Sequence, residues 1–309
     1  EMLLPRLRAI FSRPFGLQGS PVRVRCSMGV AMLDQGESTE SALQQSDAAL
    51  YRAKRSHTGG DVAFFDQAEY ASQRRARVLR EGLRGAATRG ELEVVYQPLH
   101  TVGGQLVGAE ALLRWESPLL GSISPVEFIP IAEESGVIVD VGAWVLQEAC
   151  REAATWPGDV RVSVNVSAVQ LDDPSFVQRV AKALASSGLP ADRLELEVTE
   201  SVAARDLSSM IDVLDALKEL GVGLALDDFG TGYSSLAYLR RLPVDVVKID
   251  RAFVRDARTD RVAEAIIRMV NSIAADLGVE TIAEGIETVE DRRALRALGA
   301  RLAQGFLFT

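Results

Sequence analysis

Asp227 and Asp228 stand side by side at the end of an apolar run (Val222, Leu224, Ala225, Leu226), and a loop with glycines at 230 and 232 follows them. Short apolar runs that end in turn chemistry read as buried parallel strands, which puts the pair at a strand's C-terminal end. Two adjacent carboxylates do not both stay ionised cheaply without cations nearby. Taken alone the pair has a plainer account, with Asp228 capping a turn and Asp227 solvated. Further along the chain, however, other candidate strands end in or near Glu110 and Arg114, Asn165, Glu197 with Glu200 beyond it, Lys248 and Asp250, Glu284 and Glu287, and Gln304. Each has its own bland reading: Glu197 and Glu200 as the decoration of a helix start, Lys248 as a surface charge, Asn165 as a turn residue. Seven strands in a row ending in polar, metal-competent residues are poorly explained as separate accidents.

Glu110, Glu197, Asp227, Asp228 and Glu284 would converge in one barrel mouth, where neighbouring strands are about 4.8 Å apart. Their repulsion then needs cations to offset it. Oxygen donors with one amide, and neither thiol nor imidazole, point to Mg²⁺ or Mn²⁺ rather than zinc. Five carboxylates exceed what one such ion recruits. Two ions about 3.5–4 Å apart, bridged by Asp227, is an arrangement used for in-line phosphoryl displacement.

The elements that must carry these residues alternate. Strand candidates are 93–97, 106–113, 160–166, 193–198, 222–227, 244–249, 279–284 and 302–307; helical stretches are 138–155, 174–187, 206–220, 234–241, 259–277 and 288–298. Eight strands in about 220 residues, mostly joined by helices, predict an α/β fold, a (β/α)8 TIM-like barrel. Only Pro98–Gln105, with Gly103 and Gly104, separates the first two strands. That is too short for a helical crossover, so the first strand should be antiparallel. Upstream, the pattern predicts a helix over 2–11, an alternating strand over 22–32 with Gly29 inside it, a helix over 41–55 and a strand over 62–65. This makes a thin core for an independent unit. Residues 68–90, with Arg74, Arg75, Arg77, Arg80, Arg84 and Arg89, read as a basic linker helix ending at Gly90. The domain reading is therefore 1–67, 68–90 and 91–309.

At 47% apolar and 25% charged residues the chain reads as an ordinary soluble globular protein. Cys26 and Cys150 lack CxxC spacing and read as packed thiols of a reducing cytoplasm. His57 and His100 are isolated, which argues against a histidine metal site or a Ser-His-Asp triad. Residues 1–89 hold 14 Lys and Arg against 9 Asp and Glu, whereas 90–309 hold 20 against 34. The acidic larger part argues against binding a nucleic-acid polymer, but not against a small phosphorylated ligand held through metal ions.

Two resemblances sharpen these expectations. SMGVAM, followed by LQQSDAALYRAKRSHTGGDVAFFD, resembles the C-terminal end of a GGDEF (diguanylate-cyclase-like) domain. Gly59-Gly60-Asp61 falls after the helix, where that family has a turn, and lacks the Glu-Phe of the cyclase signature. The resemblance thus implies a partial domain whose nucleotide- and metal-binding half would lie upstream of residue 1. The second resemblance, over about residues 80–309, is to EAL-domain cyclic-di-GMP phosphodiesterases. It rests on YQP at 96–98, EALLRW at 110–115, EFIPIAEESG at 127–136, VNVS at 164–167, ELEVTES at 195–201, DDFGTGYSSL at 227–236, VDVVKID at 244–250, AEGIE at 283–287 and QGFLF at 304–308.

That resemblance implies metal-dependent hydrolysis of one phosphodiester of cyclic-di-GMP to linear pGpG, with a non-catalytic cyclic-di-GMP receptor as the alternative. It implies Glu110, Asn165, Glu197 and Asp227 on a first Mg²⁺ or Mn²⁺, and Asp227, Asp228 and Glu284 holding or orienting a second, with Asp228 and Glu284 catalytic alongside Lys248 and Ca²⁺ inhibitory. Lys248 would position or deprotonate the attacking water. Gln97, Leu113, Arg114, Asp250, Glu287 and Gln304 would contact the ligand, and Glu200 would hold the loop 229–235. It further implies a homodimer through the barrel, by way of the helix near 234–241. The parent protein would be cytoplasmic, or membrane-tethered upstream of residue 1, with a sensory or GGDEF portion there.

Overall fold

The computed structural model describes residues 3–17, 20–32, 38–55, 62–200, 207–230, 239 and 241–308. These divide into two compact units, Glu1–Val78 and Leu79–Thr309. Among the described residues, no helix is long and apolar enough to cross a membrane.

The first unit begins with α1 (Leu3–Ser12) and a small antiparallel hairpin, β1 (Phe15–Leu17) with β2 (Ser20–Val22). The strand expected over 22–32 is shorter and broken. Residues 23–27 carry no regular structure, and β3 is Met28–Val30. It pairs in parallel with β4 (Val62–Phe64) across α2 (Thr39–Arg55). Gly29 has a steric reason: a Cβ there would lie 2.1 Å from the Ser46 carbonyl oxygen, so glycine lets α2 close on the strand. The triplet Gly59–Asp61 lies outside the described residues.

The basic helix, α3, spans Gln67–Leu83 and not 68–90. Gly85 takes a left-handed φ of +75° just past its end, a conformation that stops a helix and that glycine adopts at little cost. Arg89, expected inside the helix, folds back to donate to the carbonyls of Gly82 and Arg84.

The barrel follows. Strands β5 (Leu92–Thr101) and β6 (Leu106–Ser117) form the expected antiparallel hairpin, with Gln97 opposite Glu110 and Gly104 at φ +96° in the turn. A short β7 (Gly121–Ile123) folds back on the end of β6. Two helices come next, α4 (Pro125–Glu134) and α5 (Ile138–Ala153). The strand pattern missed α4 because Pro130 lies inside it, although Ser124 and Pro125 occupy the N-cap and N1 positions that suit a helix start. Then come β8 (Arg161–Val166), α6 (Ala168–Leu171), α7 (Phe176–Ser187), β9 (Leu194–Thr199), α8 (Leu207–Glu219) and β10 (Gly223–Phe229). Next is β11 (Val246–Ile249). The stretch expected as one helix over 259–277 is preceded by a separate short one, giving α9 (Arg251–Asp256) and α10 (Arg261–Leu277). Strand β12 (Glu280–Ala283), α11 (Val289–Ala297) and β13 (Leu302–Gln304) close the chain, β13 ending earlier than expected in a 3-10 turn over Phe306–Phe308. The helix expected near 234–241 falls largely outside the described residues.

Strands β6, β8, β9, β10, β11, β12 and β13 pair in parallel, and β5 closes the ring antiparallel to both β13 and β6. The structure is thus a closed eight-stranded α/β barrel with an antiparallel first strand. Outward-facing Leu194, Leu196 and Val198 of β9 join the large core beneath the helices. Helix α10 contributes Ala263, Ile267, Val270 and Ala274 at helical spacing; truncating Ile267 to alanine would cost about 2–5 kcal/mol. Leu99, Ala225, Val246, Ile282 and Leu302 form a separate small apolar cluster. Side chains alternate along a strand, so the residues two positions nearer the mouth share its face: Gln97, Asp227, Lys248, Glu284 and Gln304. Glu110, Asn165 and Glu197 complete the ring from β6, β8 and β9.

Candidate active site

Every barrel strand therefore delivers one polar side chain to this ring, and Lys248 is at its hub. Lys248 is 1% exposed. Its Nζ lies 2.7 Å from Glu197 Oε2, 2.7 Å from Glu284 Oε1, 3.3 Å from Asp227 Oδ1 and 3.4 Å from Glu110 Oε2. Asn165 Nδ2 donates to Glu110 Oε1 at 2.6 Å, and Gln304 Nε2 donates to Glu110 Oε2 at 2.6 Å and to Gln97 Oε1 at 3.1 Å.

Consecutive residues of a regular strand point to opposite faces, which would separate Asp227 from Asp228. The pairing of β10 with β11 slips between Leu226 and Phe229, and Asp228 adopts φ +55°, the one positive value among the described non-glycine residues. Such a bulge re-aims side chains at a barrel rim. Carboxylate oxygens of Asp227, Asp228 and Glu284 consequently lie within 4.8 Å of one another. Asp227 Oδ1 also accepts from the Asp228 backbone N–H at 2.9 Å. This oxygen-only cluster can hold a divalent cation. Glu110, Asn165 and Glu197 stand beside it, and an amide whose nitrogen serves Glu110 offers a cation its oxygen.

The charges do not balance without further cations. Burial alone would lower the Lys248 pKa, but Glu197, Glu284, Glu110 and Asp227 outweigh it and hold the ammonium well above the ordinary lysine value. Burial lifts Glu197 well above the carboxylate range, against the pull of Lys248. It likewise pushes Glu284 up to about 7, and Asp228 rises through burial and the Asp227 charge. Burial raises Glu110 too, but Lys248 and the Gln304 and Asn165 amides prevail and keep it below the usual range. One ammonium facing this many carboxylates leaves some of them holding protons until cations replace them.

The family described as the EAL domain matches residues 80–309, and the one described as diguanylate cyclase, GGDEF domain matches residues 2–59. The chain belongs to the EAL domain family. It is 39% identical to the bifunctional diguanylate cyclase/cyclic di-GMP phosphodiesterase MucR of Pseudomonas aeruginosa, over 99% of this chain and 45% of that one. It is 35% identical to the cyclic di-GMP phosphodiesterase PdeR of Escherichia coli, over 100% of this chain and 47% of that one. The solved structure of the MucR phosphodiesterase in complex with c-di-GMP superposes with a TM-score of 0.71 at 42% identity, covering 74% of this chain and 95% of that one. The chain spans 37% to 45% of the length of the first curated relatives it matches.

Arg114 donates from Nη1 to the Leu113 carbonyl at 2.9 Å. Both line a cavity of about 800 Å³ that also reaches Asn165 and α4. Asp250 caps α9, its Oδ1 accepting from Ala252 N at 2.8 Å. Glu287 is exposed just before the capping box that starts α11, and it is not drawn into the cluster. Glu200 accepts from the Gly230 backbone N–H at 3.2 Å. The expected bonds to Thr231–Ser235 lie outside the described residues. Sequence reasoning missed Glu195, 4% exposed, two residues below Glu197 on the same inward face, with Arg161 at 3.8 Å and a pKa raised chiefly by burial. The alternation Leu194-Glu195-Leu196-Glu197 was the available signal.

Proposed function

We propose that the EAL barrel hydrolyses one phosphodiester bond of cyclic-di-GMP to linear pGpG, using Mg²⁺ or Mn²⁺. The observation that carries this reading is the fully buried Lys248 ringed by four carboxylates, next to the Asp227–Asp228–Glu284 cluster. The cyclic di-GMP phosphodiesterase names of several relatives support it. Glu110, Asn165, Glu197 and Asp227 would hold one cation, and Asp227, Asp228 and Glu284 a second. When bound, such ions neutralise phosphate charge and lower the pKa of a water for in-line attack. The water oxygen then forms the new P–O bond as the bond to the ribose 3′ oxygen breaks, leaving a 5′ phosphate and a 3′ hydroxyl.

Lys248 holds its proton too tightly to act as a free base. It orients the attacking water by donating a hydrogen bond, and it keeps the carboxylates in register. Arg114 would meet a phosphate. Gln97, Leu113, Asp250, Glu287 and Gln304 would line the nucleotide, and Glu200 would hold the start of the loop through Gly230. For the whole chain we propose a partial GGDEF-like segment over 1–67, a linker over 68–90 and the EAL barrel over 91–309, acting in the cytoplasm as a homodimer. Incubation with cyclic-di-GMP and Mg²⁺ or Mn²⁺, with and without EDTA, tests the reading. Metal-dependent pGpG supports it, whereas binding without product makes the barrel a receptor.

A further inference from the structure

Upstream of β5 lies a cluster that the chemistry above does not use, running from exposed Arg89 through half-buried Glu91 to buried Trp115. Glu91 receives Arg89 at both carboxylate oxygens, Nε to Oε1 at 2.5 Å and Nη2 to Oε2 at 3.0 Å. Its Oε2 also accepts from Trp115 Nε1 at 3.1 Å. The same Arg89 guanidinium donates to the carbonyls of Gly82, in the last turn of α3, and of Arg84, just past its end. Glu91 is held by its backbone as well, its N–H donating to the Ala86 carbonyl at 3.0 Å and its carbonyl accepting from Glu116 N at 2.9 Å. Trp115 directly follows Arg114 on β6, is 1% exposed, and packs edge-on against Phe128 of α4 with ring centroids 5.6 Å apart. From the helix side, a Cβ on Gly82 would sit 3.2 Å from the Trp115 ring.

These contacts form a continuous path. The end of α3 is tied through Arg89 to Glu91, Glu91 to Trp115, and Trp115 to two of the elements that line the 800 Å³ cavity: β6, carrying Arg114, and α4, carrying Pro125, Ile129 and Glu133. The cavity also reaches Asn165. The Lys248 cluster lies on the other side of Glu110, four residues earlier on β6. We propose that Glu91 is a positioning residue, and that the Arg89–Glu91–Trp115 clamp makes the width of the substrate cavity follow the last turn of α3. Because α3 continues from the barrel unit back to Gln67, a twist of that helix reaches the cavity wall without passing through the carboxylate cluster. The clamp therefore sets substrate affinity, while the reaction step and the metal dependence are set elsewhere. This proposal rests on the phosphodiesterase reading.

The test uses the full chain and four variants: Glu91→Ala, Glu91→Gln, Arg89→Gln and Gly82→Ala. Losing hydrogen bonds to a charged acceptor predicts a KM for cyclic-di-GMP about tenfold higher in Glu91→Ala, with kcat and Mg²⁺ dependence within about twofold of wild type. Glu91→Gln keeps an acceptor for Trp115 Nε1 and restores most of that loss, and Gly82→Ala, which presses on the ring from α3, also raises KM. The Trp115 indole N–H resonance shifts in Glu91→Gln. Arg89 is surface-accessible, so Arg89→Gln keeps the test open if Glu91→Ala does not fold. Ile267→Ala, on α10 away from the clamp, is the control for general destabilisation.

An unchanged KM in folded Arg89→Gln and Gly82→Ala overturns the proposal. So does a KM rise in Ile267→Ala at an equal loss of melting temperature, or a kcat that falls while KM stays put. If the wild-type chain makes no pGpG, the phosphodiesterase reading fails instead, and the dissociation constant of cyclic-di-GMP in Ca²⁺ replaces KM. If the chain does not bind the ligand either, a Trp115 resonance that fails to move in Glu91→Gln still overturns the clamp.

Discussion

Replacing Lys248 by alanine removes, among the described residues, the one cation in contact with these four carboxylates, all of them within 3.4 Å of it. Breaking a buried ion pair by deleting one partner costs about 3–5 kcal/mol, because the other partner stays buried without its counter-charge. The four-fold contact places Lys248→Ala toward the upper end of that range. For a barrel of this size each kcal/mol shifts the melting temperature by about 2–4 °C, so the metal-free variant should melt about 10 °C or more below wild type. The loss should be larger at pH 8 than at pH 5. A carboxyl that has lost its ammonium neighbour binds its proton more tightly, and the stability linked to a raised pKa is present below the unfolded value and lost as pH rises through the folded one. Mg²⁺ should restore more stability to the variant than to wild type, since the ion replaces a missing charge. The assay is thermal melting at both pH values in EDTA and in Mg²⁺, alongside cyclic-di-GMP turnover, which should fall severely while ligand affinity stays largely intact. Melting within 2 °C of wild type in EDTA at pH 8, a threshold taken as about 1 kcal/mol, would refute the reasoning that Lys248 is the internal counter-ion. Lost affinity with an unchanged maximal rate would make the lysine a ligand contact.

Four further outcomes follow from the same geometry. Holding Glu284 at about 7 rather than 4.5 corresponds to roughly 3 kcal/mol; the metal-free chain should lose that stability as pH rises from about 4.5 through 7, by urea melts, and added Mg²⁺ should stabilise progressively more over the same span. Glu110→Ala and Asp227→Ala should abolish pGpG formation, as read by product chromatography, because each removes a charge and a donor from the cluster. Ca²⁺ should bind, by calorimetry, yet support little turnover, since its longer bonds and looser geometry fit a phosphoryl-transfer site poorly. Glu200→Gln and Gly230→Ala should each weaken Mg²⁺ dependence and lower turnover without unfolding the barrel. The first weakens the hold on the Gly230 N–H; the second places a Cβ at φ +99° and 2.9 Å from the Phe253 ring. Wild-type Mg²⁺ titrations in both would show that the loop is not coupled to the cluster.

Period-two alternation made most of the ring legible before any coordinates. Glu197, Asp227, Lys248 and Gln304 each lie at or near the end of an apolar run on the inward face, and the eight residues 98–105 implied the antiparallel first strand. What stayed hidden depends on backbone conformation and distance. Nothing in the string Asp227-Asp228-Phe229 announces a bulge. Yet without φ +55° at Asp228 and the register slip beside it, the two carboxylates would face opposite ways and the cluster with Glu284 would not form. Helix α4 was lost to Pro130, and α3 was drawn too long because Arg89 extends the basic run beyond Gly85, where the backbone turns left-handed.

The deeper reason that the ring is legible is an energetic constraint on the barrel interior. Below it, Leu99, Ala225, Val246, Ile282 and Leu302 form an apolar cluster whose side chains supply no hydrogen bonds. A polar side chain two residues higher is buried above that cluster and must find its partners within its own layer. Glu110 does so with two amides and the lysine, and Lys248 with four carboxylates. Chains of this kind cannot lose one member without leaving another unpaired, so the residue types of the layer constrain one another. Glu195 marks the limit of the rule: it lies one step lower on β9, reaches Arg161 at 3.8 Å, and keeps a raised pKa because burial outweighs that partner. The ring above therefore carries the acidic charge that cations can neutralise, whereas the charge of Glu195, lower on β9, has Arg161 as its counter-ion.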